Sequence, residues 1–317
     1  MPVIPRFIDE PRDWARPWVD HPGLLPKGKC CCAAAEAGYM MTGFISGANS
    51  GRVDSYVVDS YTNKTSAPSP ARSYSASFVV SGAAYVATGL GPGNISDNDQ
   101  YDPDTWTSKT NIVSPARDDA TGFYFSTKGH VLGGIGASRL QDNDEYDPSG
   151  DSWTSKTDMP TPGRQTLSGR TDGTTGFVFG GNDGSGQLND VDAYDPVGNS
   201  WTSKGAMTSP SRQGAASALI SGKIYIMYGT GPGGLAGRLR DADEYTPGSD
   251  TWANKTDGPT PARTDIRAFT LSGAAYCTGG LNSTPVATAD NDEYTPDTWV
   301  SKSDFTPARY AHCAETM

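Results

Sequence analysis

Residues 212–263 read RQGAASALISGKIYIMYGTGPGGLAGRLRDADEYTPGSDTWANKTDGPTPAR, and the order of signals inside them decides the fold. An apolar run at 213–220 meets a Ser-Gly turn, and a second apolar run follows at 224–228. A Gly-rich loop then leads to an acidic segment, 241–245, that ends in Tyr245. After a Pro-Gly turn the segment 251–255 carries Trp252 and Lys255. Short runs rich in β-branched and aromatic residues, bounded by Gly, Pro and Ser, read as four short strands.

Working outward, the closing tripeptide Pro-x-Arg recurs six times, ending at Arg72, Arg117, Arg164, Arg212, Arg263 and Arg309, in steps of 45, 47, 48, 51 and 46 residues. Upstream of each stands an aromatic followed three residues later by lysine: Tyr61, Trp106, Trp153, Trp201, Trp252 and Trp299. A tyrosine precedes each aromatic by five to seven residues, at Tyr56, Tyr101, Tyr146, Tyr194, Tyr245 and Tyr294. A period of this length is the mark of a repeat architecture. A lone four-stranded sheet cannot bury both faces, so each unit must pack on the next and the series must close. The five tryptophans are therefore expected in the core.

This order of signals resembles the kelch repeat: a strand, Gly-Gly, a loop, an acidic strand ending in Tyr, then Trp, then Pro-x-Arg. The resemblance covers about 280 of the 317 residues and implies an all-β fold, a six-bladed kelch-type β-propeller. Three departures stand out. Tyr61 replaces Trp in the first repeat, and the second glycine is missing at Gly89-Leu90 and Gly229-Thr230.

Second, third and fourth strands occur six times, but segments resembling a first strand occur seven times. One lies at 30–37 and one follows each repeat arginine. Because residues 310–317 follow the same signal as their five predecessors, the C-terminal strand is expected to complete the first blade. The chain then divides into an extended N-terminal docking arm, 1–29, and the propeller, 30–317. Cys30, Cys31 and Cys32 lie at one end of the ring and Cys313 at the other. A disulfide between Cys313 and one of the three would staple the closure in an oxidising compartment; reduced thiols are the alternative. Zinc is disfavoured, because consecutive cysteines on a strand alternate sides and lack the usual two-residue gap.

The search for chemistry finds no catalytic constellation. The three histidines, His21, His130 and His312, are scattered, and His130 stands where other repeats carry Tyr85, Tyr225 and Tyr276. Copper-radical oxidases share the kelch propeller, but nothing here matches their Tyr, Cys and His ligands. Sialidases also use six blades, yet their Ser-x-Asp-x-Gly-x-x-Trp box is missing. The six repeat arginines read as structural, binding turn carbonyls between blades. Acidic pairs such as Asp142 and Asp144, or Asp241 and Asp243, precede the third-strand tyrosines. They could ring the channel and bind calcium, or pair with a repeat Arg or Lys. The second reading is preferred. The expectation is a non-enzyme, with no cofactor and no metal.

A net charge of −11 disfavours nucleic acid and anionic lipid as partners, and no apolar run is long enough to span a bilayer. The N-terminus lacks the pattern of a secretory signal. Function is left to the variable loops between second and third strands and to the arm. That arm holds Phe7, Trp14 and Trp18 among prolines and charges of both signs. Such anchors suit docking onto other protein subunits. The leading expectation is a structural or adhesive subunit of a large assembly, a phage virion component of the tail, collar or capsid surface, with a virion or extracellular location. The alternatives are a soluble, cytoplasmic kelch module that binds a protein or glycan on its loop rim, and a propeller enzyme.

Overall fold

The computed structural model describes residues 37–317, other than 58, 114 and 209. Six antiparallel four-stranded sheets form the blades, each ordered first to fourth strand. Blade 1 is Cys313–Thr316, Gly38–Met41, Val53–Val57 and Ser60–Lys64. Blade 2 is Ala76–Val80, Ala83–Leu90, Asn94–Asp102 and Thr105–Lys109; blade 3 is Thr121–Phe125, Lys128–Leu132, Asn143–Asp147 and Ser152–Ser155. Blade 4 is Ser168–Thr171, Gly176–Phe179, Val191–Asp195 and Ser200–Ser203. Blade 5 is Ala216–Ile220, Lys223–Met227, Ala242–Thr246 and Thr251–Lys255, and blade 6 is Arg267–Leu271, Ala274–Thr278, Asn291–Thr295 and Thr298–Lys302. Each first strand touches the first strands of both neighbouring blades, so these six line a central channel.

Closure follows the expectation. Cys313–Thr316 pairs antiparallel with Gly38–Met41, Met41 opposite Cys313 and Gly38 opposite Thr316. Residues separated by nearly the whole chain thus share one sheet, which makes ring closure inseparable from folding.

The seams between blades repeat the same chemistry six times. At each seam a glycine amide donates to the carbonyl of the next blade's repeat arginine: Gly43 to Arg72, Gly89 to Arg117, Gly134 to Arg164, Gly181 to Arg212, Gly229 to Arg263 and Gly280 to Arg309. These glycines hold φ between 97° and 122°, a region costly for any side chain. The arginine guanidinium turns into its own blade and pairs with the third-strand carboxylate there: Arg72 with Asp99, Arg117 with Asp144, Arg164 with Asp192, Arg212 with Asp243, Arg263 with Asp292 and Arg309 with Asp54. The guanidinium also reaches carbonyls, as from Arg263 to Gly279 at 3.0 Å, but these lie within the blade. It is the arginine's own carbonyl that joins neighbours. The third strand stands two strands away from the channel, so the carboxylates form no ring around it.

Two further expectations are corrected. The glycine missing from the Gly-Gly pair is the first and not the second. Thr42, Thr88 and Tyr228 take φ of 61°, 60° and 61°, matching Gly133, Gly180 and Gly279 at 59°, 55° and 59°. The second glycine, whose amide makes the seam bond at φ of 97–122°, is present in all six blades, whereas the first is replaced in blades 1, 2 and 5. The tryptophans Trp106, Trp153, Trp201, Trp252 and Trp299 are half-buried on the outer strands. The fully buried large side chains are instead the six arginines with tyrosines such as Tyr56, Tyr101, Tyr146 and Tyr194. Each tryptophan packs on its own blade's tyrosine, as Trp153 does on Tyr146 at 4.9 Å. Its indole N–H donates to a backbone carbonyl of the preceding blade, at 2.8–2.9 Å in all five. It packs partly buried against a core cluster and bridges the outer edge of a seam.

Candidate functional site: the channel mouth

Two residues after each repeat arginine the chain enters the channel wall. Those residues, Tyr74, Asp119, Thr166, Gly214, Asp265 and Ala311, hold φ of 50–62°. Their backbone groups form a collar. Tyr74 donates to Ala311, Asp119 to Tyr74, Thr166 to Asp119, Gly214 to Thr166 and Ala311 to Asp265, at 2.8–3.0 Å. The collar surrounds the channel at the end where the loops between second and third strands emerge, because Asp118, Gln165 and Gln213 bridge to Ile135, Asn182 and Thr230 at the roots of those loops.

The collar collects charge of both signs. Burial pushes the Asp119 carboxyl well above the usual carboxylate range, and Asp265 and Asp118 push it further, against the pull of Arg267 and Arg139. Burial likewise raises Asp265, opposed by Arg267 and Arg238. The Tyr74 hydroxyl is raised by burial and by Asp265 and Asp119, and its ring meets Tyr310 edge-on at 6.3 Å. Several buried polar atoms here have no hydrogen-bond partner among the described residues: Asp119 Oδ1, Gln165 Oε1, Arg139 Nε, and Nε and Nη1 of Arg238. Gln165 Nε2 donates to the other Asp119 oxygen at 3.2 Å. Arg139 and Arg238 come from the loops of blades 3 and 5, the latter just after the 3₁₀ turn Gly234–Gly237. A glycine makes room for Arg139, since a Cβ at position 184 would lie 2.6 Å from its Nη1.

With this geometry in view, comparison with known proteins is informative. The Kelch motif family model matches residues 177–208, the second to fourth strands of blade 4. No curated protein matches the chain. Among solved structures, the chain is similar to one described as "Structure of YjhT", with a TM-score of 0.67 at 16% identity, covering 78% of this chain and 87% of that one. The chain is a six-bladed β-propeller whose fourth blade matches the Kelch motif.

Within this propeller the other sequence candidates are dispersed. His130 is buried between Phe125 and Tyr194, with Nδ1 at 2.9 Å from Asn143 Oδ1, and so is a packed strand residue. His312 is buried at the closure seam, 2.8 Å from Thr278 Oγ1; burial and three arginines hold its pKa well below the ordinary value. Cys313 is a free, buried thiol whose pKa burial raises. Its three expected partners, Cys30, Cys31 and Cys32, lie outside the described residues, as do Phe7, Trp14 and Trp18. Among the described residues no group of His, Cys, Asp or Glu gathers as a metal site, and no helix is long and apolar enough to cross a membrane.

Two sets of residues were missed by reading the sequence. The collar had a signal, the position two residues after each arginine, but its six occupants differ in type. The other set is the Asp or Asn two residues before each outer aromatic: Asp59, Asp104, Asp151, Asn199, Asp250 and Asp297. Each sits at positive φ in its turn, and its side chain accepts a backbone N–H of the preceding blade, as Asp104 does from Thr65 at 2.8 Å.

Proposed function

We propose that this kelch propeller is a non-enzymatic binding module that takes a glycan at the channel mouth, on the rim built by the loops between second and third strands. The fold itself is that of a protein-binding or general propeller module. The observation that carries the finer reading is the set of unpartnered polar atoms on Asp119, Gln165, Arg139 and Arg238. Leaving such an atom buried without a partner costs about 1–3 kcal/mol. Sugar hydroxyls both donate and accept, so one ligand class satisfies carboxylates and guanidiniums together. The C–H face of a pyranose suits tyrosine rings such as Tyr74 and Tyr310.

A glycan array tests this. The wild-type chain is expected to bind a defined set of glycans, and Asp119→Ala and Arg238→Ala to weaken that binding about tenfold or more, a loss of roughly 1.4 kcal/mol. A silent array, or undiminished binding by both folded variants, sinks the reading. For its setting we keep a large assembly, a phage virion component, supported by the sequence of residues 1–29, which carries Phe7, Trp14 and Trp18. A chain lacking residues 1–29 that still enters its particle at normal occupancy would remove that support.

A further inference from the structure

Below the collar the channel holds a cavity of about 70 Å³, whose polar lining includes Ser77, Tyr124, Arg170, Ser217, Arg267 and Glu315. Arg170 lies on the first strand of blade 4, and its Nη2 donates to the carbonyls of Ser217 in blade 5 and Ala268 in blade 6. Glu315 lies on the first strand of blade 1, opposite blade 4 in a ring of six. It accepts a 2.6 Å hydrogen bond from Ser77 Oγ of blade 2. The two charges that face each other across the channel are thus drawn to different sides, and they do not form an ion pair. Arg267, from blade 6, lines the same cavity; its Nη1 donates to the Ile266 carbonyl at 3.0 Å.

Two guanidiniums therefore share a lumen with one carboxylate, and that carboxylate is already engaged. Arg170 Nε is buried with no hydrogen-bond partner. A guanidinium without an ion-pair partner in surroundings of low dielectric favours a counter-anion and repels a cation. Asp119 and Asp265 at the mouth act on Arg267, which leaves Arg170 as the stronger centre. The volume holds a few water-sized groups, which suits a chloride- or nitrate-sized ion and excludes a phosphorylated metabolite.

We propose that the channel cavity binds one small monovalent anion, with Arg170 as its main ligand, Arg267 as the second, and Glu315 as the group that weakens the site. Burial lowers the Arg170 pKa and raises that of Glu315, each opposed by the other. This site is independent of the glycan reading at the mouth.

Chloride-35 line broadening, measured at constant ionic strength with gluconate as the replacing anion, tests the proposal; melting in the two salts is a second readout. Wild type is expected to broaden the chloride line and to melt higher in chloride. Arg170→Met is expected to lose about tenfold or more in affinity and Glu315→Gln to gain several-fold, while Lys128→Gln, outside the cavity lining, changes neither readout. Broadening by Arg170→Met equal to that of wild type overturns the site, as does a wild type indifferent to chloride in both readouts. Should Arg170→Met fail to fold, Arg267→Gln replaces it, and undiminished chloride binding by that variant overturns the site equally.

Discussion

Position 180 in blade 4 shows how one residue type is selected by its neighbour. Gly180 holds φ of 55°, and a Cβ there would lie 2.4 Å from the Arg212 carbonyl oxygen. That carbonyl is the one that accepts the seam bond from Gly181. Thr42, Thr88 and Tyr228 occupy the equivalent place in blades 1, 2 and 5 at nearly the same φ, so a left-handed backbone alone does not demand glycine. At position 180 itself, the close Arg212 carbonyl oxygen is what a side chain would displace. Gly180→Ala is therefore expected to destabilise the chain by roughly 2–4 kcal/mol, combining backbone strain with a displaced seam. Denaturant titration reads this as a lower midpoint, and a midpoint equal to wild type would remove the steric argument.

At the scale of the element, the outer strand and its turn act as a latch. In five blades one residue of the preceding blade is held twice. Its amide is bound by an Asp or Asn side chain and its carbonyl by an indole, as for Thr110 between Asp151 and Trp153. Blade 1 keeps the first half, Asp59 on the Ser303 amide at 2.9 Å, but carries Tyr61 in place of Trp. The Tyr61 hydroxyl is buried with no hydrogen-bond partner among the described residues, and burial raises its pKa strongly. The closing seam, which joins the two ends of the propeller chain, is thus the one with half a latch. Tyr61→Trp is expected to restore the indole bond to Ser303 and stabilise the fold by about 1 kcal/mol, read as a melting temperature higher by roughly 2 °C. A lower melting temperature would count against the latch.

For the whole molecule, the mouth is where stability and function pull apart. Asp119 has a folded-state pKa raised well above 3.8. Its contribution to stability is present below that unfolded value and is lost as pH rises through the folded one, because the buried carboxyl must then ionise among other carboxylates. Asp119→Asn removes that loss. The variant is expected to melt above wild type at neutral pH, with the difference shrinking to nothing as pH falls below about 3.8. Melting curves across that range check the sign, and a variant less stable at pH 7 would refute it. Retaining a destabilising carboxyl at the centre of the rim is expected of a binding site.

The repeat, the number of blades and the closing strand were legible in the sequence, because each rests on local signals recurring every 45–51 residues: turn residues, alternation and the Pro-x-Arg punctuation. The same signals misled about the tryptophans, since a large aromatic at a repeated position says that it packs and not which face it leaves to water. Tertiary structure alone decided that the arginine carbonyl, and not its guanidinium, joins neighbouring blades. It alone brought Tyr74, Asp119, Asp265 and the loop arginines together. These residues belong to different repeats and carry no shared motif, and they become neighbours only because closing the ring carries the start of every blade to a common axis.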